Sequence, residues 1–218
     1  MTNKINRRNF IKKSVNAGIA ASLGGSAISS LIDTNISFAQ QTGNVDVAVV
    51  EGTNHFENTI KAVDMLGGMK RFVPKDAKVF ILANAQARHP GTFTHPAILQ
   101  AAVRMCKDAG AKNVDCYTLQ SERNWDSTGL ADALKKENVP LQHISSRDPE
   151  QFRTIPIPLG KELKEAQIMK VFFEYDVFIN LPITKDHAGN KFTGTLKNLM
   201  GLNSSPSNRS FHKDNWTT

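Results

Sequence analysis

The chain has 218 residues, with 27 Lys and Arg against 20 Asp and Glu and a formal net charge of +7. Five of those basic residues and one acidic residue lie in residues 1–39, so residues 40–218 carry only +3. They show no Lys/Arg stripe interleaved with aromatics, which excludes nucleic-acid binding as a leading function. The two cysteines, Cys106 and Cys116, form no C-x-x-C pair, which excludes a sequence-local iron–sulfur or zinc-finger framework.

Residues 1–39 read as a secretory leader. Lys4, Arg7, Arg8, Lys12 and Lys13 make a basic start, and Arg7-Arg8-Asn9-Phe10-Ile11-Lys12 has the twin-arginine form. A weakly apolar stretch from Ala17 to Ile32 follows, broken by Gly24 and Gly25 and closed by Asp33. It falls short of the about 20 mostly apolar residues of a membrane span. Ser37-Phe38-Ala39 fits small-x-small cleavage, which makes Gln40 the new N-terminus. The expectation is a periplasmic or otherwise exported protein with the twin-arginine export machinery as a partner and no stable span after cleavage. That route carries folded proteins, often with a cofactor already inserted.

Residues 40–218 suffice for one core of ordinary size. Val45 to Val50 reads as a strand by its β-branched content, and His55 to Leu66 as a helix ended by Gly67-Gly68. Pro74-Lys75-Asp76 is a turn. Lys78 to Ala83 is a continuous apolar run, the mark of a strand buried on both faces. After a polar loop, Thr94 reads as the N-cap of a helix with Pro96 just inside it and Gly110 closing it. Asn113 to Leu119 is the next strand, a spacing that fits a right-handed βαβ unit.

A helix over Asp126 to Asn138 and a strand over Leu141 to Ser145 come next. Residues 146–160 hold three prolines and read as irregular, and Lys161 to Glu174 as mixed. Asp176 to Leu181 reads as a buried strand. The sum predicts an α/β protein with a mainly parallel, Rossmann-like sheet flanked by helices. Cys106 falls in a helix and Cys116 in the strand after it. In an oxidising compartment they either pair or stay as buried thiols.

The chemistry concentrates after that last strand. Lys185, His187, Thr193, Thr195, Lys197, Asn198 and His212 follow it within about thirty residues. The carboxyl end of a buried strand is where α/β proteins place ligands. Lys197 and His187 are the catalytic candidates. A lysine in a partly dry site has a lowered pKa and becomes nucleophilic, and a neutral imidazole is a natural general base. His187 and His212 are the metal candidates, imidazole being a common metal ligand. Lys185, Thr193, Thr195 and Asn198 are candidates for holding a cofactor or anion. For the two threonines, capping the following helix is the competing role. Asn198 either bridges two loops or binds ligand. Glu122, just past a strand end, is a candidate acid, and His95 beside Pro96 reads as structural. There is no Walker loop, G-x-S-x-G elbow, H-E-x-x-H or G-x-G-x-x-G after a strand.

Several blocks carry a family resemblance. They are Gly67-Gly68-Met69-Lys70-Arg71-Phe72-Val73, Asn84, Thr94-His95-Pro96, Ala109-Gly110-Ala111-Lys112 and Ser127-Thr128-Gly129-Leu130. The longest is Asn180-Leu181-Pro182-x-x-Lys185-x-His187 with Thr193-Gly194-x-Leu196-Lys197-Asn198-Leu199-Met200-Gly201 and His212. Residues 40–218 thus resemble domain of unknown function 362 in its twin-arginine-exported form. The resemblance implies no settled reaction. Many such proteins carry a ferredoxin-like module, for which this chain has no cysteines, and they continue past the point where this chain stops. The stretch His212 to Thr218 reads as the opening of another helix, so a partial domain is expected.

The order His187, Lys197, His212 is also similar to the cofactor region of nickel-pincer lactate racemases, as is the Thr94-His95-Pro96 helix start. That similarity implies a lysine holding a covalent cofactor and a histidine binding nickel or moving a proton. A further histidine of that family has no counterpart here: Ser121, Glu122 and Arg123 stand in its loop. The expected function is an exported enzyme acting on a small anionic substrate with a metal or a covalently held cofactor. The alternatives are an iron–sulfur- or redox-associated accessory or binding module without catalysis of its own, and a structural protein.

Overall fold

The computed structural model describes residues 46–86, 89–161, 163–186 and 191–211. The leader, His187 and His212 lie outside the described residues.

Strand β1 (Lys78–Ala83) is the centre of the molecule. Its residues from Val79 to Ala83 are all buried, as the unbroken apolar run requires. Alternate side chains point to opposite faces: Val79, Ile81 and Ala83 to one, Phe80 and Leu82 to the other. β1 pairs in parallel with β2 (Asn113–Thr118), and β2 in parallel with β3 (Leu141–His143). On its other side β1 pairs in parallel with β6 (Val177–Leu181). The four-stranded order is β3-β2-β1-β6, so the fold is α/β with a parallel sheet and flanking helices.

The first face is covered by helices. Helix α1 (His55–Met65) packs on α2 (Pro96–Asp108), and α2 on α4 (Leu130–Lys136), which follows α3 (Glu122–Thr128). Leu99, Val103 and Cys106 of α2 join Val79, Ile81, Trp125, Leu130 and Leu134 in one cluster. Each large apolar side chain buried there contributes roughly 1.5–3 kcal/mol. Glu137, just past α4, ties this layer to α2. It accepts from Arg104 Nη2 at 2.6 Å and from Gln100 Nε2 at 2.9 Å, and its carbonyl takes the Lys107 ammonium. Burial pushes the Glu137 pKa up, and the bonds from Arg104 and Gln100 outweigh it, leaving the group below its usual range.

The second face is aromatic and is covered by an antiparallel hairpin, β4 (Phe152–Pro156) and β5 (Glu165–Met169). The Phe80 ring stacks on Tyr117 at 4.9 Å and meets the edges of Phe172 and Tyr175 at 5.6 and 5.4 Å. Phe152, Met169 and Leu202 complete this cluster.

Several local expectations change. Residues 46–50 lie in no strand, and Val47 and Val49 are 74% and 81% exposed: β-branched side chains favour a ladder but do not supply the neighbour. The stretch read as irregular contains β4, whose Pro156 sits at the last register position of the pair. The helix read over Asp126 to Asn138 starts at Glu122 and is split in two by Gly129, in the left-handed conformation at φ +72°. β6 is an edge strand with all five residues half-buried, not a strand buried on both faces. The N-cap of α2 is His95, whose Nδ1 accepts from the Ala97 amide at 3.2 Å; Thr94 is used elsewhere. Cys106 and Cys116 are buried free thiols, both pushed up to about 12 chiefly by burial. Among the described residues no helix is long and apolar enough to cross a membrane.

Candidate ligand-binding cleft

The strand order runs outward from β1 through β2 to β3 and resumes on the opposite side with β6. Segments leaving the carboxyl ends at such a reversal open a crevice between them. A cleft of about 380 Å³ lies here. Its walls are Leu82 to Gln86 at the end of β1, Thr118 to Gln120 at the end of β2, and Ser146 after β3. Lys185 after β6 closes one side, with residues from the single-turn helix α5 (Thr195–Asn198), the turn Leu199–Leu202 and helix α6 (Ser205–Ser210). Gly201 lets that turn lie on the sheet: a Cβ there would sit 3.3 Å from Leu82 Cδ1. Lys185, Lys197 and Arg209 all line the cleft, and among the described residues its lining holds no Asp or Glu.

A chain of side-chain amides fixes the floor. Asn198, 7% exposed, donates from Nδ2 to Asn180 Oδ1 at 2.7 Å and to the Leu82 carbonyl at 3.3 Å. Its Oδ1 accepts from Asn84 Nδ2 at 3.0 Å. Asn180 Nδ2 donates to the Thr195 carbonyl at 3.0 Å. The two backbone carbonyls can only accept, so they set the orientation of Asn180 and Asn198, and Asn198 in turn sets Asn84. Asn84 Oδ1 is left facing the Lys185 ammonium at 3.4 Å. Lys185 also donates to the Thr92 carbonyl at 2.6 Å, and its backbone pairs with Thr193 in both directions. Thr94 Oγ1 donates to the Leu181 carbonyl at 2.5 Å and accepts from the Asn84 amide at 2.9 Å, locking the end of β1 to the end of β6.

Lys197 stands in a drier place. Its ammonium donates to Met200 Sδ at 3.0 Å, and burial holds its pKa below the ordinary lysine range. A thioether is a weak acceptor. Among the described residues two buried side-chain oxygens have no hydrogen-bond partner, Thr193 Oγ1 and Asn203 Oδ1, both in residues of the cleft wall.

Of the residues singled out from the sequence, Lys185, Thr193, Lys197 and Asn198 come together in this cleft. Thr195 does not line it: the residue is exposed in the first turn of α5 and contributes its carbonyl. Neither threonine caps α5, whose N-cap is Gly194 with no side-chain bond. Glu122 is exposed in the first turn of α3 and is not among the lining residues. The roles read for His187 and His212 fall outside the described residues. Among the described residues no group of three or more His, Cys, Asp and Glu is placed to hold a metal. Asn84, Asn203 and Arg209 were not singled out as site residues. Asn84 had a signal, its place one step past the buried strand; Arg209 and Asn203 had none, because only the packing of α6 and its preceding turn brings them here.

The chain is an α/β protein with a parallel sheet and a polar, cationic cleft outside the sheet's carboxyl edge. The chain belongs to the family described as domain of unknown function DUF362, whose model matches residues 79–217. It is 28% identical over 149 residues to the thylakoid-associated protein sll1697 of Synechocystis sp., across 64% of this chain and 43% of that protein. Its fold is similar to that of the lactate racemase apoprotein from Thermoanaerobacterium thermosaccharolyticum, with a TM-score of 0.51 at 18% identity. That likeness covers 78% of this chain and 42% of the racemase. The chain therefore spans less than half the length of both proteins.

Proposed function

We propose that this is an exported protein that binds a small anionic molecule in the cleft and acts on it through Lys197. The observation that carries the reading is the convergence of Lys185, Lys197 and Arg209 on a cleft whose described lining residues include no carboxylate. Two opposite unit charges about 4 Å apart attract by about 4 kcal/mol at the effective dielectric of a protein surface. An anion held by several cations is therefore bound in spite of its lost hydration.

The division of labour follows from the surroundings of each cation. Lys185, held by the Asn84 amide and the Thr92 carbonyl, is a fixed electrostatic contact. Lys197 is the adaptable one: burial lowers its pKa from the ordinary lysine value, which favours the neutral amine that proton transfer or covalent attachment needs. Those properties fit a lysine that anchors a covalently held cofactor, which would supply an electrophilic centre that the side chains of the cleft lack. With or without it, Lys185 and the amide floor bind and orient the anion.

The test is isothermal titration of the exported protein with phosphate, sulfate, glycolate and acetate at low salt, with uncharged glycerol as control. Anions bind, added sodium chloride weakens them, and glycerol gives no heat. Failure of every anion at low ionic strength overturns the reading. Export by the twin-arginine route is part of the proposal, carried by Arg7-Arg8-Asn9-Phe10-Ile11-Lys12 and the Ser37-Phe38-Ala39 cleavage site. The double substitution Arg7→Lys/Arg8→Lys is expected to leave uncleaved precursor in the cytoplasm, followed by immunoblot of fractionated cells. Undiminished export of that variant would assign the leader to another route.

A further inference from the structure

The cleft is longer than one small ion needs. Its floor follows the strand order of the sheet, with Asn84 just past β1, Thr118 to Gln120 at the end of β2 and Ser146 past β3. Neighbouring strands lie about 4.8 Å apart, so the floor crosses about 10 Å from β1 to β3. Its volume of about 380 Å³ is within the range of clefts that enclose whole organic ligands.

The cations are spread along that floor. Lys185 is fixed at the β1 end, 3.4 Å from Asn84 Oδ1 and 2.6 Å from the carbonyl of Thr92, in the loop that leads into α2 under the helical cover. Lys197 stands at the same end, one residue before Asn198, whose Nδ2 reaches the Leu82 carbonyl. Arg209 belongs to the opposite wall. Ser205, Asn208 and Arg209, at helical spacing, turn one face of α6 to the cleft. The Ser205 amide donates to the Ser146 carbonyl at 2.8 Å, which ties the start of α6 to the β3 end of the floor. The Ser204 amide donates to the Gln167 carbonyl at 3.0 Å, and the Gln167 amide donates to Ser207 Oγ at 3.2 Å, which ties it to the hairpin cover. The Arg209 side chain is exposed and has no hydrogen-bond or ion-pair partner among the described residues. The middle of the floor, at the end of β2, offers Thr118, Leu119 and Gln120 and no charge.

We infer that the cleft takes an elongated ligand with an anionic group at each end, one held by Lys185 and Lys197 and the other by Arg209. The inference rests on the proposed anion site and names the class of its ligand: α,ω-dicarboxylates and other short dianions whose charges are held apart by an uncharged spacer. Once one end is bound, the second contact is intramolecular. Its gain is greatest when the spacer matches the span and vanishes when the spacer cannot reach.

Titration of the exported protein at low salt with malonate, succinate, glutarate, adipate and suberate reads the span. Acetate is the single charge, sulfate the compact dianion, and hexanoate the spacer with one charged end. At least one dicarboxylate is expected to bind about tenfold or more tighter than acetate, sulfate and hexanoate, with affinity falling for members too short to span. Dicarboxylates no tighter than sulfate, or an adipate affinity matched by hexanoate, overturn the inference and leave the anion site standing. No binding of any anion overturns both. Arg209→Gln, at an exposed position, should melt as wild type does, bring the best dicarboxylate down to the level of acetate and leave acetate itself unchanged. A length preference that survives in the variant overturns the place of Arg209. Loss of acetate binding in step with the dicarboxylate overturns the separation of the two ends.

Discussion

Replacing Lys197 with methionine is expected to weaken anion binding by roughly 10- to 100-fold while the protein melts at or slightly above the wild-type temperature. Methionine keeps the length and apolar stem of the side chain. It removes only an ammonium that the fold has partly dehydrated and set against the Met200 thioether. A hydrogen bond to a charged group contributes about 1.5–3 kcal/mol, and every 1.4 kcal/mol is tenfold in affinity. The pH dependence follows from the same dehydration. The folded pKa of Lys197 lies below the unfolded value of 10.5. Between the two values the folded state binds fewer protons. This lysine's share of stability is therefore fully present above pH 10.5 and is lost as the pH falls through the folded value. Anion binding has the opposite sign, since the anion needs the ammonium, so affinity declines on the alkaline side earlier than an ordinary lysine would allow. Titration of phosphate from pH 6 to 10 on wild type and Lys197→Met checks both points. Wild-type affinity in the variant, or a variant that melts many degrees lower, would remove Lys197 from the binding role.

Asn198→Leu should damage the fold and the site together. Leucine is of similar size but leaves the Leu82 carbonyl, Asn180 Oδ1 and Asn84 Nδ2 without their partner at a nearly buried position. Each buried group so stranded costs about 1–3 kcal/mol, and the three relax together, so about 3 kcal/mol is expected for the set. For a protein of this size that is a fall in Tm of about 6–12 °C. Asn84 would then lose its fixed orientation, and with it Lys185 would lose an acceptor that aims it. Asn198→Asp separates the effects. The carboxylate still accepts from Asn84 but faces the Leu82 carbonyl with a repulsive oxygen and puts a negative charge at the cleft floor. It should therefore reduce anion affinity more than its loss of stability accounts for. Melting of Asn198→Leu within a degree or two of wild type would show that the amide chain is not what joins β1 to β6 at this end.

The parallel α/β core was legible in the chain for a simple reason. An unbroken apolar run such as Val79 to Ala83 has few places to go except between two covered faces. The helix that supplies one of the covers was marked by Pro96 at its start and Gly110 past its end, although its core contacts are Leu99, Val103 and Cys106 rather than the face of Ile98, Ala102 and Met105 that the spacing suggested. The other cover was not legible. The β4/β5 hairpin is built from Arg153, Thr154, Gln167 and a terminal proline, and its strands exist because they pair with each other and lay Phe152 and Met169 on Phe80. The segment 46–50 shows the reverse: strong strand character in the side chains, and no ladder to join.

The candidate site divides in the same way. Lys185, Thr193, Lys197 and Asn198 could be singled out because they follow one strand closely in sequence, and residue type plus proximity to a strand end is local information. Which of them face a common space is decided by topology. The reversal of strand order at β1 puts Asn84, more than a hundred residues earlier than Asn198, within 3.0 Å of it. The same packing brings Arg209 and Asn203 into the wall and leaves Thr195 outside it, turned to solvent. The sequence by itself determined the sheet's central strand, its first helical cover and the family. The tertiary structure decided the second cover, the edge position of β6, the amide floor and the two unpartnered oxygens. Hydrophobic periodicity is written along the chain, whereas a hydrogen bond between residues a hundred positions apart exists only once the strands that carry them are side by side.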